Sequence, residues 1–167
     1  FFTLKDMKSI PISLSYNGKL GEDRLGLAVG GFLLYSKSVL IIDLGTCITY
    51  DLVLNGKYEG GQIGPGLQTR LTSLYTATQS LPKLKFTNPD NFIGKSTIDC
   101  IQSGVFFGVL SELQLMINRY RKNYAGLAVI ITGGDSKYFK KHIKNVIYDD
   151  NLLMKGLNCI FNENIKD

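Results

Sequence analysis

At positions 39–42 four apolar residues, Val39, Leu40, Ile41 and Ile42, run straight into Asp43-Leu44-Gly45-Thr46. Cys47, Ile48, Thr49, Tyr50 and Asp51 then resume an apolar–polar alternation. The uninterrupted run predicts a strand buried on both faces, and the alternating run predicts its hairpin partner across a glycine turn. Asn55-Gly56 follows, a strong hairpin signal, with a return strand expected over 57–63 and broken at Gly60-Gly61. A meander of three antiparallel strands is therefore expected between 39 and 63.

The turn at 43–46 also carries chemistry. Glycine lets backbone approach a ligand closely, and a threonine hydroxyl can bond a phosphate oxygen. The Asp43 carboxylate would repel a bare phosphate, so phosphate binding there requires a neighbouring cation. The same residues also fit an ordinary β-turn.

The rest of the chain supplies helices and two more strands. An edge strand is expected over 10–16, with Pro11 near its start. Leu20 to Leu34 reads as a helix with Glu22 and Asp23 in its first turn; Gly26 and Gly30, one turn apart, invite close packing. Phe2, Leu4 and Met7 fit the tail of an earlier helix. A helix is expected over 67–78, a loop over 79–92, and a long helix from Ser96 or Thr97 whose charged end, 118–124, frays near Gly126, with Gly104 and Gly108 again inviting contact. A buried strand over 127–131 ends in Thr132-Gly133-Gly134. A short helix (136–143), a short strand (146–148) and a closing helix (151–161) complete the order. Strands alternating with helices indicate a layered α/β domain, and the hairpins make its sheet mixed, a poor fit to a pure Rossmann topology.

Two glycine turns, 43–46 and 132–134, each follow a buried strand, the place where open α/β sheets bind ligands. Together they would hold a nucleotide, one at the phosphates and one at the adenosine; Gly133-Gly134 equally fits a plain strand-to-helix turn. Asp23-Arg24 is the second constellation. A carboxylate can take a proton from an attacking hydroxyl, and a guanidinium can bind an anionic substrate. The pair also fits an exposed helix start. His142 and the lysines at 137, 140, 141 and 144 read as a solvated face. Gly94-Lys95-Ser96-Thr97 is not a P-loop, because Pro89 stands where the first glycine would be needed.

With 44% apolar and 20% charged residues a packed core is expected, and the net charge of +5 suits anionic small molecules without requiring nucleic acid. Cys47, Cys100 and Cys159 lack metal-ligand spacing and are expected to be free, buried thiols in a reducing compartment. No secretory signal or run of ~18 apolar residues stands out, so a cytoplasmic protein without a membrane partner is expected.

Several motifs, in order, resemble one family. Gly21-Glu22-Asp23-Arg24 resembles G-x-D-R, and 43–51 resembles D-x-G-T-A-x-T-x-D with Cys47 for the alanine. Gly60-Gly61-Gln62-Ile63-Gly64-Pro65-Gly66 resembles G-G-x-I-x-P-G. Thr76-Ala77 with Leu81-Pro82, then Gly94 to Thr97 with Ile101 and Gly104, then Thr132-Gly133-Gly134 complete the set. The set is similar to the type III pantothenate kinases.

The resemblance implies an actin-like ATPase (ribonuclease H-like) fold of two α/β domains, and transfer of the ATP γ-phosphoryl group to pantothenate. It implies that Asp23 is the catalytic proton acceptor. Tyr16, Gly21, Glu22, Asp23, Arg24 and Thr97 would line the pantothenate site. Gly45, Thr46, Gly133 and Gly134 would meet ATP, and Asp43 would hold a monovalent cation, K+ or NH4+. Mg2+ accompanies the ATP, and the protein is expected to be a homodimer with substrate near the subunit interface. The family's early D-x-G-N-[ST] phosphate motif has no match here, and the chain opens on Phe1-Phe2. It is therefore expected to be the C-terminal two-thirds of such an enzyme, with 1–20 ending the N-terminal domain or linker and 21–167 forming the C-terminal actin-like domain. The segment before G-x-D-R is shorter than usual and lacks its proline. The alternatives are another actin-like-fold small-molecule kinase and a non-catalytic transcriptional regulator of the same family.

Overall fold

A computed structural model describes residues 10–165 of the chain; the helix tail expected from Phe2, Leu4 and Met7 lies outside them. The element order is β1 (Ser13–Leu14), α1 (Glu22–Leu34), β2 (Val39–Leu44), β3 (Cys47–Leu54), β4 (Lys57–Pro65), α2 (Leu67–Ala77), α3 (Thr97–Asn123), β5 (Ala128–Thr132), β6 (Ile147–Tyr148) and α4 (Leu152–Ile165). A 3₁₀ turn, Ser136–Tyr138, lies between β5 and β6.

The strands form one sheet in the order β1-β4-β3-β2-β5-β6. β2, β3 and β4 are the expected antiparallel meander, while β5 and β6 extend it in parallel beyond β2. Without the short parallel edge strand β1, this is the third-second-first-fourth-fifth order of the actin-like and ribonuclease H-like folds. The sheet is mixed and carries helices on both faces, as the buried run in β2 requires.

Alternation along β2 divides the core. Val39 and Ile41 face α1 and α4 with Leu27, Val29, Tyr58 and Ile160. Leu40, Ile42 and Leu44 face α2 and α3 with Leu71, Val105, Val109 and Leu113. On the first face α1 and α4 cross at glycines. A Cβ on Gly156 would lie 2.9 Å from the carbonyl carbon of Gly26 and 3.0 Å from the nitrogen of Gly30. The one-turn spacing in α1 thus does what it predicted. The same spacing at Gly104 and Gly108 does not: nothing comes within 4 Å of either, because both point away from the sheet.

Helix α3 ends at Asn123, just before the fraying point expected near Gly126, and Ser96 caps it by accepting from Asp99 N at 3.1 Å. Its length and mean hydropathy of 1.4 are enough to cross a membrane, contrary to the sequence reading. Its apolar residues Ile101, Val105, Val109, Leu113 and Ile117 are packed against the sheet, as a core helix requires.

Other boundaries shift for local reasons. β4 is not broken at Gly60-Gly61. A bulge between the pairs Leu52↔Gly60 and Val53↔Tyr58 absorbs Glu59, and pairing runs on to Pro65. The helix expected over 136–143 shrinks to the 3₁₀ turn and further turns, since burial of Phe139 and Ile143 anchors so short a segment better than helical bonds do. The edge strand shrinks to two residues. The loop 79–92 is pinned by two amides. Gln68 on α2 donates to Leu84 O (2.9 Å) and accepts from Phe86 N (3.0 Å), and Gln102 on α3 donates to Lys85 O (2.8 Å) and accepts from Thr87 N (3.2 Å). The cysteines are free but not buried: Cys47 and Cys100 are exposed at the mouths of β3 and α3, and Cys159 is half-buried.

Candidate active site

Register brings the two glycine turns together. β2 and β5 are parallel neighbours with Asp43 opposite Thr132, so both strands end at the same height. Gly133, at φ +89°, packs against Asp43 and Leu44; a Cβ there would overlap the Asp43 carboxylate and lie 2.6 Å from Leu44 N. Asp135 N donates to Leu44 O at 3.0 Å. The turns are thus one structure, and only glycine fits at 133. Gly45 and Gly134 have nothing within 4 Å of a Cβ position, which leaves backbone open to an incoming group.

Helix α2 starts on the first of these turns. Gly66 N donates to Thr46 O at 2.9 Å and Thr69 Oγ1 to the same oxygen at 2.6 Å. Gly45, Thr46, Thr69, Thr72, Thr76 and Asp135 line a groove of about 650 Å³. Gln68 and Asp135 are shared with a second hollow of about 610 Å³, which adds Lys83, Lys85 and Tyr138. Hydroxyls, open glycine backbone and two lysines make this groove suitable for a phosphate-bearing ligand.

On the α1 face stands the second constellation. Gly21 is the extended N-cap of α1, and a Cβ on it would lie 2.6 Å from Asp23 Oδ1. That oxygen accepts from Arg24 N at 2.8 Å, so glycine leaves room for a carboxylate folded back onto the helix N-terminus. Asp23 and Glu22 are exposed, whereas Arg24 is buried. Arg24 Nε and Nη2 donate to Asp51 Oδ1 at 2.8 and 2.7 Å. Tyr58 OH donates to the same oxygen at 2.6 Å, and Thr49 Oγ1 donates to Oδ2 at 3.0 Å. Burial alone would lower the Arg24 pKa, but the Asp51 carboxylate outweighs it and holds the guanidinium more firmly charged. Tyr16 stands with its ring centre 5.9 Å from Arg24 Cζ and 5.8 Å from that of Tyr58.

Asp43 points to this same face. Burial, then the Asp23 and Asp51 charges, push its carboxyl above the usual range, partly offset by the backbone N–H of Leu44. Burial likewise raises Asp135, opposed by Lys137. Asp23, Asp43 and Asp51 against the buried Arg24 leave an excess of negative charge near the groove lined by Gly45 and Thr46. That is an environment favouring a cation. Among the described residues no three Asp, Glu, His or Cys side chains converge closely enough to hold a metal by themselves. A cation here would have to draw further ligands from backbone, water or phosphate.

The structure therefore gathers Tyr16, Gly21, Glu22, Asp23, Arg24 and Asp43 on the α1 side. It sets Gly45, Thr46, Gly133 and Gly134 at the adjoining strand ends. Thr97 stands apart, on the α3 side, in a hollow of about 630 Å³ with Arg70, Ser73, Leu81 and Cys100. Tyr58, Thr49 and the partnership of Asp51 with Arg24 were missed in the sequence. The signal was there: Thr49, Asp51 and Val53 alternate onto one face, and a carboxylate at an inward position demands a partner. His142 is exposed, as expected, with Phe106 at 5.4 Å.

The profile of the type III pantothenate kinases matches residues 2–119. A type III pantothenate kinase of Flavobacterium johnsoniae is 40% identical over 94% of this chain and 66% of its own length. Those of Persephonella marina and Christiangramia forsetii are 37% and 40% identical, covering 63% and 68% of their own lengths. The chain thus spans about two-thirds of the length of these relatives. A crystal structure described as a Baf family transcriptional activator from Campylobacter jejuni superposes with a TM-score of 0.66 at 24% identity, over 93% of this chain and 70% of that one, a likeness of fold. Motif order, sheet order and relatives of this similarity agree: the chain belongs to the type III pantothenate kinase family.

Proposed function

We propose that the protein transfers the γ-phosphoryl group of ATP to the primary hydroxyl of pantothenate, the step that opens coenzyme A synthesis. The observation that carries this reading is the grouping of an exposed Asp23, a buried Arg24 and Asp43 on one sheet face, beside two fused glycine turns, in a chain of this family. Asp23, held by the Arg24 N–H at 2.8 Å, accepts the proton of the substrate hydroxyl as its oxygen attacks the γ-phosphorus. The bond to the bridging oxygen breaks and ADP leaves with the electron pair. Arg24 binds the anionic part of the substrate, with Tyr16, Gly21 and Glu22 around it. Gly45 and Thr46 meet the phosphates, and Gly133 and Gly134 the adenosine side. Asp43 helps to hold a monovalent cation, K+ or NH4+. Mg2+ and that cation supply neutralisation of phosphate charge when bound.

Thr97 lies on the other face of the sheet from Asp23, so we assign its substrate contact to a second copy of the chain in a homodimer. Residues 1–20 then end the N-terminal domain or linker, and 21–167 form the C-terminal domain. The substrates place the reaction in the cytoplasm, and it calls for neither nucleic acid nor membrane. The test is phosphoryl transfer by the full-length protein with ATP, Mg2+ and pantothenate, with and without K+. Turnover that rises with K+ is expected, and absence of turnover with K+ present overturns the reading.

A further inference from the structure

We propose that Asp51 and Tyr58 are positioning residues that lock the Arg24 guanidinium so that its remaining edge is presented to the anionic group of the substrate. What Arg24 meets rests on the function proposed above; the lock itself rests on geometry.

Asp51 is 0% exposed and Arg24 7%. Asp51 Oδ1 receives Arg24 Nε, Arg24 Nη2 and Tyr58 OH, all within 2.8 Å, while Thr49 fixes Oδ2 at 3.0 Å. The guanidinium is a rigid planar fork, so holding Nε and Nη2 fixes Nη1, which takes no part in the ion pair. The strand is shaped around this contact. The bulge at Glu59 breaks the two-residue period, so Tyr58 and Gly61, three positions apart, both lie by Asp51 and Arg24. Gly61 pairs with Asp51, and a Cβ on it would lie 3.2 Å from Arg24 Nη2.

A purely structural explanation is weak. Burying an ion pair costs desolvation of both charges, and apolar residues of the same volume serve a core as well or better. Arg24 also follows Asp23 directly and holds its carboxylate through the backbone. A guanidinium locked on one side and adjacent to the proton acceptor on the other is suited to setting substrate position, so its support should govern binding of one substrate only.

The test uses full-length protein with the variants Tyr58→Phe and Asp51→Asn. Tyr58→Phe keeps the ring and removes one donor, so it is the variant expected to fold in any case. Pantothenate KM is expected to rise roughly threefold in Tyr58→Phe and roughly tenfold or more in Asp51→Asn. ATP KM should stay within about twofold, and kcat should fall by less than pantothenate KM rises. A merely structural role would lower Tm without that selective change. Unchanged pantothenate KM in both variants, or equal rises for both substrates, overturns the proposal. If Asp51→Asn does not fold, Tyr58→Phe decides alone. The Arg24 Nε–H resonance in 15N NMR reads the lock without turnover. A resolved, slowly exchanging signal in wild type that is lost in Tyr58→Phe supports it, and a signal averaged by rotation in wild type overturns it. A wild type without turnover but with that signal would refute the proposed function and leave the lock standing.

Discussion

At the scale of single residues, the charge on Asp43 conflicts with its surroundings. Burial, Asp23 and Asp51 all raise its pKa, so in the folded chain without ligand the ionised form is disfavoured relative to the unfolded chain. The folded pKa lies above the unfolded value of ~3.9. Stability is therefore greatest below that value, falls as pH rises towards the folded pKa, and levels off above it. Asp43→Asn should raise Tm at neutral pH in cation-free buffer, and the gain should vanish below about pH 3.9. It should also blunt activation by K+. Thermal melts across pH check the first part, and an Asp43→Asn protein that melts below wild type at pH 7 would contradict the charge argument. Asp23 is exposed and held by one N–H. Asp23→Asn should keep Tm and lower kcat by about 10²-fold or more, the usual scale for a lost general base; an undiminished kcat removes it from that role. Part of this geometry was legible in the sequence: in Gly-x-Asp-Arg, Gly21 is where a Cβ would strike the Asp23 carboxylate, and in Asp-x-Gly-Thr, Gly45 leaves the backbone of the turn open. The Asp51–Tyr58 pair was not. Tyr58 reaches Asp51 only through a bulge that absorbs Glu59, and a skipped residue leaves no mark in a two-residue period.

At the scale of elements, the α1–α4 crossing is the tightest helix contact. Gly156→Ala would drive a methyl group into the backbone of Gly26 and should destabilise by about 1–3 kcal/mol. Gly108→Ala, on the open side of α3, should stabilise by about 0.5–1 kcal/mol, since helix propensity alone is changed. Urea denaturation of the two variants checks the contrast, and equal effects would mean that contact across the crossing is not what matters. Both pairs of glycines have the same spacing in the sequence. Spacing shows that a helix has a glycine face, but it does not show whether anything packs there. The same limit explains the helix wrongly expected over 136–143. Its residues have helical periodicity, yet the tie of Asp135 N to Leu44 O and the buried Phe139 bind the segment to the rest of the fold, and it stays a series of separate turns instead of a continuous helix.

At the scale of the whole molecule, the sheet stands between Asp23 on one side and Thr97 on the other. If a homodimer joins them, mixing Asp23→Asn and Thr97→Ala proteins under subunit exchange should restore activity. Each mixed dimer would carry one intact site and one doubly altered site, giving roughly a quarter of wild-type activity for random pairing. Activity of the mixture equal to the mean of the separate variants would place both residues in the same subunit's site. The layered fold and the antiparallel meander were readable from β2 and the Asn55-Gly56 turn. The strand order was not, because β5 inserts beside β2 across a long stretch of chain, and no local pattern states such a pairing.

The fused turns have a mechanical consequence. Gly133 packs against the Asp43 carboxylate with no clearance, and Leu44 O holds Asp135, so the ends of β2 and β5 have no hinge between them. The seat formed by the two turns cannot open or shut like jaws; it is a fixed anvil. Near it lies the strap 84–87, slung between Gln68 and Gln102 on two different helices. A shift of α2 relative to α3 would pull that strap taut or slacken it, and carry Lys83 and Lys85 towards or away from the groove.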